Sequence, residues 1–496
     1  MVTAMVSRVL LVLAVAAAVV VRAEAQSTMS PAVRAAWGFD RSDLPPHPAV
    51  RFGVLPNGLR YALMRNAVPA GGLAMRLRVD VGATVEAERE QGFVHMIEHL
   101  LFEGSRTLPA GALPLFLQRD GLAHWSDFNA FTSFDETVYR LDLARADARA
   151  RTTALTLADE TLRGLIFTRA TVGGARKRIG EEIRSRDGVQ DRILAAQHAF
   201  FLPGTPLDRG PVAGTRASIR RADPATLRRL WDLYYAPDRT TLVLVGDFDP
   251  EVVETEIAAR FADWRPRAQA GAPASQHAGG LPVARGLEAR LFVDPDAPTR
   301  ISIASVSPPD GARDSGAARD VQFLELLGSR MLNRRFADLG IEAEMSIYTY
   351  YGMARLAELE VSAPDRDWRR ALAAGGRELR RALEEGFTQA ELDAQFAASR
   401  PMLADRAAVD SSSGLADAIV DAVGRNLVFT RPADDGATLD YLGRVRLDAV
   451  NAAFRAAWSG GGRLIFVSHH RRLKGGEKAV LEAWEEEEEE EEEGGG

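Results

Sequence analysis

Apolar residues recur along this chain with two different periods. Leu73, Met75, Leu77, Val79 and Val81 alternate with polar or small residues, and Val138–Leu143 does likewise, which predicts strands with one buried face. Between them the period lengthens to that of a helix. Phe93, Val94, Met96, Ile97, Leu100 and Leu101 form an apolar side that pins the segment into a core, and Ala225–Tyr234 predicts a further helix. In the second half, Thr299–Ser307 and Met353–Val361 read as strands, and Trp368–Glu385 and Thr388–Ala398 as helices. Thr388 is placed as an N-cap, with Glu391 three residues on completing a capping box.

The two halves read as a repeat. Leu227–Trp264 runs helix, Tyr-Tyr-Ala-Pro turn, strand Thr241–Val245, then a helix ending in Ala262-Asp263-Trp264. Val450–Trp484 runs helix, glycine-rich turn, strand Arg463–Val467, then a helix ending in Ala483-Trp484. Between them, Pro266–Gly286 is dominated by Ala, Gly, Pro, Ser and Gln and reads as a linker. The predicted fold class is therefore α+β, as two similar modules, each a mainly antiparallel sheet with helices packed on one face. At 496 residues the chain is too long for one usual core. The expected division is a signal peptide over 1–25, an N-terminal extension over 26–48, a metal-bearing module over 49–265, the linker over 266–286, a second module without the metal motif over 287–484, and a disordered tail over 485–496.

The helix beginning at Phe93 carries the candidate chemistry. His95, Glu98 and His99 lie within one arc of about 100°, so two imidazoles can reach one cation beside a carboxylate. Gln91 and Glu103 lie in or near the same arc, so an ordinary solvated helix face is the plain alternative. The order H-x-x-E-H inverts the commoner zinc-protease order and is the inverzincin signature. A catalytic zinc needs three protein ligands and an open fourth position, so a further ligand should come from another element. Glu181-Glu182, in the helix-compatible segment Arg176–Ile183, is the best candidate pair. Gly180 weakens that helix prediction. The sequence has no cysteine, which leaves histidine and carboxylate as donors and excludes disulfides.

At these residues the chain resembles the pitrilysin/insulinase family of zinc metallopeptidases. The resemblance extends to Asn57-Gly58-Leu59-Arg60-Tyr61, to Gly82, Glu86 and Gly92, and to Leu101-Phe102-Glu103-Gly104-Ser105. It continues through Asn129-Ala130-Phe131-Thr132-Ser133, Tyr234-Tyr235-Ala236-Pro237-Asp238 and Val245-Gly246-Asp247. It is strongest before Asp249 and closest to the N-terminal half of long bacterial exported members. It implies Zn2+ held by His95, His99 and Glu182, the last chosen over Glu181 by the family's "EEI" segment. It also implies Glu98 as general base, and Asn129 and Ala130 on a strand that holds the substrate backbone. Two departures stand out: Ala175 occupies a position where relatives often carry a glutamate, and the family's Arg and Tyr pair cannot be placed, Arg334, Arg335, Tyr348 and Tyr350 being only loose matches.

The function expected is an exported zinc endopeptidase acting on peptides or unfolded polypeptides. The alternatives are a non-catalytic subunit that shapes a chamber for another chain, and a zinc-binding periplasmic protein without hydrolase activity. Relatives enclose substrate between two halves, so a homodimer or a pairing with a C-terminal half is expected. Arg8 followed by an apolar run from Val9 to Val21, with Ala23-Glu24-Ala25 before Gln26, predicts secretion to the periplasm or beyond, without stable membrane insertion after cleavage. Composition is globular, at 46% hydrophobic and 26% charged residues. The net charge of -8 owes much to the run Glu485–Glu493, and the near-neutral remainder does not suit nucleic acid.

Overall fold

The computed structural model describes residues 29–494, apart from 120–121, 123–126, 186–187, 268–284, 310, 312, 365, 405–410 and 431–440. The expected signal peptide and most of the expected linker lie outside the described residues. Eleven strands are described: β1 (Val50–Val54), β2 (Arg60–Arg65), β3 (Leu73–Val79), β4 (Phe128–Thr132), β5 (Thr137–Leu143), β6 (Thr240–Gly246), β7 (Glu288–Val293), β8 (Arg300–Ser307), β9 (Ala343–Tyr350), β10 (Ala354–Ser362) and β11 (Leu464–His469). They form two sheets, ordered β1-β2-β6-β3-β5-β4 and β7-β11-β8-β10-β9. In each sheet one neighbouring pair is parallel, β2 with β6 and β7 with β11, and the other pairs are antiparallel. Apart from β1, the two orders are the same order twice. The chain is therefore α+β with two alike modules.

Each sheet carries helices of its own half on one face. In the first, Leu73, Met75, Leu77 and Val79 of β3 pack with Val94, Ile97 and Leu101 of the histidine-bearing segment and with Leu227 and Trp231. In the second, Ile301, Ile303, Ile465 and Val467 pack with Leu327, Phe336, Leu372 and Phe454.

The opposite faces are buried as well, each by a helix from the other half. Helix Ser412–Gly424 places Ala416, Ile419 and Val420 on Ala62, Ala74, Val243 and Val245 of the first sheet, where Phe39 and Leu44 of the N-terminal extension join them. Helix Val189–Phe201 places Ile193, Phe200 and Phe201 against Ala304, Leu356, Leu464 and Phe466 of the second sheet. The alternation of β3 predicted one buried face, yet Arg76 on its other face has no exposed side-chain area. That arginine is accommodated because it is fully partnered: Nη1 meets Asp142 Oδ1 at 2.7 Å, Nε meets Asp417 Oδ1 at 2.6 Å, and Nη2 donates to Ser413 Oγ at 2.7 Å. Arg140 holds the other oxygen of Asp417 at 2.5 Å. A buried guanidinium is costly alone and stable when its donors are met, so this network ties the crossing helix to the sheet.

Helix Gly476–Gly494 continues from the second core through the glutamates of the tail. Ala479, Val480, Ala483 and Trp484 anchor its first turns in the second core, and glutamate is a good helix former that extends a helix already nucleated. The Thr388 capping box forms as predicted: Glu391 N donates to Thr388 Oγ1 at 3.3 Å and Thr388 N to Glu391 Oε2 at 2.7 Å.

Asp417→Ala removes an acceptor from both Arg76 and Arg140. The expected loss is about 1.5–3 kcal/mol, the usual scale for hydrogen bonds to charged groups. Urea unfolding should show a lower midpoint, and an unchanged midpoint would show that this network does not fasten the helix.

Candidate metal centre

The histidines sit on helix α1 (Phe93–Leu100), whose start is fixed from outside the helix. Its N-cap is Gly92, at φ 84°, and a Cβ there would lie 2.5 Å from the carbonyl oxygen of Ala213. Glycine meets both demands but offers no capping side chain. Glu86 supplies the missing acceptor: its carboxylate receives Gly92 N at 2.8 Å and Val94 N at 2.6 Å. Burial pushes the Glu86 carboxyl up to about 8, the amide donors working in the opposite direction.

Helix α2 (Arg169–Ser185) brings the acidic pair across to α1. The turn that follows α1 meets α2 closely: a Cβ on Gly174 would overlap the Glu103 carboxylate, and Arg178 Nε pairs with Glu103 Oε1 at 2.5 Å. On this helix Glu181 is exposed, whereas Glu182 turns inward. Ala175 is fully buried among apolar groups, so that position offers no second carboxylate to the site.

Three donor atoms converge. His95 Nε2 and His99 Nε2 are 3.2 Å apart, and Glu182 Oε2 lies 3.7 Å from the first and 3.3 Å from the second. Tetrahedral ligands at about 2.0–2.2 Å from one zinc ion would be roughly 3.4 Å apart. The donor set fits such an ion in both spacing and chemistry, two imidazoles and a carboxylate being common zinc partners. A wider trio, His95, Glu98 and His99, has donor atoms within 4.8 Å of one another. The trio with Glu182 is the tighter of the two, and Glu98 Oε2, 3.9 Å from His95 Nε2, stands beside it.

Glu98 is buried and receives a hydrogen bond from Thr132 Oγ1 at 2.7 Å. Thr132 ends β4, which pairs with β5 and is the last strand of its sheet among the described residues. Asn129 and Ala130 lie on this same outer strand, with Asn129 exposed and its Oδ1 accepting from Ala130 N at 2.9 Å. Behind it Tyr139 and Tyr235 share a buried contact at 3.0 Å between their hydroxyl oxygens. Burial, with the nearby Glu98 charge, raises both phenols. Sequence reasoning gave no role to Thr132, to the capping by Glu86 or to this tyrosine pair. Only Glu86 had a usable signal, as an acid shortly before a helix whose cap position is glycine. Tyr348 and Tyr350 belong elsewhere: Tyr348 donates to Glu358 Oε2 at 2.6 Å, and Tyr350 OH lies 2.8 Å from His198 Nε2.

Comparison with known proteins identifies the family and the fold. Residues 61–209 match the model for insulinase (peptidase family M16), and residues 221–398 match that for the peptidase M16 inactive domain. The chain belongs to the M16, pitrilysin/insulinase-type, peptidase family. It is 32% identical over 198 residues to a probable zinc protease, PqqL, of Escherichia coli (strain K12), a match covering 40% of this chain and 21% of that protein. It is 31% identical over 271 residues to the chloroplastic stromal processing peptidase of Oryza sativa subsp. japonica, covering 51% of this chain and 20% of the relative. The crystal structure of the first half of the periplasmic protease PqqL from Escherichia coli has the same fold, with a TM-score of 0.76 at 20% identity, covering 90% of this chain and 97% of that one. Against the PqqL structure itself the TM-score is 0.77 at 22% identity, covering 90% of this chain and 50% of that one. The matches thus take in about a fifth of these two curated relatives' length and half of the solved PqqL chain.

Glu86→Ala should leave the first amides of α1 without their acceptor and cost about 1.5–3 kcal/mol, whereas Glu86→Gln keeps an acceptor. Because the folded-state carboxyl sits near 8, above its ordinary 4.5, the native protein binds more protons than the unfolded chain between those values. Stability contributed here declines as pH rises from about 4.5 to 8. Chemical unfolding across that range should show a flatter decline for Glu86→Gln, and an identical slope would disprove the linkage.

Proposed function

We propose that this chain is the metal-bearing half of an exported zinc-dependent endopeptidase that hydrolyses peptides or unfolded polypeptides. The observation that carries the reading is the meeting of His95 Nε2, His99 Nε2 and Glu182 Oε2 within 3.7 Å, with a buried Glu98 carboxylate at their side. When bound, zinc supplies a Lewis acid that polarises the scissile carbonyl and acidifies water.

The chain's own residues account for the remaining steps. His95 and His99 present neutral ring nitrogens and Glu182 one negative oxygen, so the loaded site keeps a net positive charge that favours a carbonyl oxygen. Glu98, on the same face of α1, accepts the proton of the attacking water and passes it to the leaving amine. An extended substrate adds to the outer edge of β4, where the backbone around Asn129 and Ala130 supplies hydrogen bonds with little demand on side-chain identity. The Asn129 side chain, now folded onto Ala130 N, gives way to the incoming strand.

Export and pairing belong to the same reading. The apolar run at Val9–Val21 suits a secretion signal, no helix among the described residues is long and apolar enough to cross a membrane, and the Escherichia coli protein of like fold is described as periplasmic. A chain that spans half of that protein supports pairing with a C-terminal half, or with a second copy, to wall the substrate from water. A non-catalytic chamber subunit or a simple zinc-binding protein would have no need of Glu98, whose burial and hydrogen bond to Thr132 favour the peptidase.

Glu98→Gln should retain zinc, measured by metal analysis, and lose peptide cleavage by about 10²–10⁴-fold. Cleavage at the parent rate would remove the base. His99→Ala and Glu182→Ala should each lower zinc occupancy, and full occupancy in either would break the ligand assignment. Light scattering with and without a candidate C-terminal half should detect a complex whose cleavage exceeds that of the chain alone. Equal rates despite complex formation would argue against a closed chamber.

A further inference from the structure

Beside the three converging donors, Glu98 must remain a base, although its carboxylate is near enough to become a ligand. Its Oε2 is 3.9 Å from His95 Nε2, and a modest side-chain rotation would carry it into the cluster. We infer that Thr132 is the positioning residue that prevents this, its hydroxyl holding Glu98 Oε2 on the strand side of the site. The inference rests on the reading of Glu98 as the base.

The direction of the Thr132 proton follows from its neighbours. Thr137 Oγ1 is 3.5 Å away but lies 2.8 Å from the Val81 carbonyl oxygen, to which it donates its own proton. An ionised carboxylate accepts only, so the Thr132 proton is directed to Glu98 as a charge-assisted bond of 2.7 Å.

The donor is itself fixed. Thr132 pairs in register with Thr137 at the end of the β4–β5 ladder. The turn that follows is tied by Ser133 N to Glu136 O at 2.8 Å, by Ala83 N to Ser133 O at 3.0 Å and by Thr84 N to Phe134 O at 2.8 Å. A β-branched side chain on such a backbone has little rotational freedom. Glu98, by contrast, is a longer side chain, and one clamped oxygen sets the plane of its carboxylate. The strand proposed to receive substrate thereby also orients the base, so chemistry and strand addition share one rigid element.

Thr132→Val removes the hydroxyl at nearly constant volume. The variant, loaded with zinc and separately with cobalt, should retain its metal and its melting temperature. Its kcat should fall about 10- to 100-fold, as for other residues that orient a metal site, with KM unchanged. The visible absorption of the cobalt form should weaken as Glu98 enters the ligand set. Thr132→Ser, which restores the hydroxyl, should recover both the rate and the spectrum. Parent kcat with a parent cobalt spectrum in Thr132→Val, or a serine variant as impaired as the valine one, would overturn the inference. Should the valine variant not fold, Thr132→Ala against Thr132→Ser gives the same comparison of a missing and a present hydroxyl. With Glu98→Gln run in parallel, an inactive glutamine variant beside a fully active Thr132→Val sinks the role of Thr132 alone. A glutamine variant that cleaves at the parent rate removes the base and this inference together.

Discussion

A sheet that is apolar on both faces must be covered on both, and each half of this chain covers mainly one. The first adds to its far face only the short segment around Val33, Phe39 and Leu44. The missing cover comes from the opposite half: Ser412–Gly424 lies on the first sheet and Val189–Phe201 on the second. This exchange is the constraint on which the site depends. β3 gives Leu73, Met75, Leu77 and Val79 to the core beneath α1 and gives Ala74, Arg76 and Arg78 to the far side. If the crossing helix left, Arg76 would lose Asp417 and Ser413, and the strand supporting the metal helix would lose its backing. The half without the histidines therefore sustains the half that has them.

The site divides three carboxylates by environment. Glu86 lies at the positive end of a helix and spends its oxygens on backbone amides. Glu182 approaches the histidine nitrogens from another helix, and Glu98 is held by a threonine hydroxyl. Burying a carboxyl at the start of this short helix costs free energy, as the raised Glu86 carboxyl shows, burial being its main cause. A divalent cation held by His95, His99 and Glu182 would offset the negative charge of Glu182 and of the neighbouring Glu98.

Much of this was legible in the sequence, for reasons that differ by residue. The helix of His95, Glu98 and His99 announced itself because six apolar residues fix its rotation and leave the polar atoms together. The strands were readable from alternation, and the repeat from matching helix, turn and strand patterns. Glu182 was not readable from spacing, since Glu181 and Glu182 are chemically equal neighbours and only the rotation of α2 decides which turns inward. The family resemblance supplied that choice, and the structure places Glu182 facing the histidines. Alternation at Arg76 and Arg78 suggested a polar outer face, and nothing local could reveal that Asp417, 341 residues from Arg76, would partner it there.

The likeness of the two sheets bears on how substrate is taken up. β4 and β9 occupy the same place in the two strand orders, each the last strand of its sheet among the described residues. Only β4 has α1 and its histidines alongside. An open strand edge is a hazard unless it is covered or used, because it pairs with any extended chain. Under the proposed function that general stickiness would become useful at β4, delivering a backbone carbonyl to a bound cation without reading the side chains. On that reading fidelity would come from restricting which chains reach the edge, a restriction that an enclosing partner would provide without altering the site.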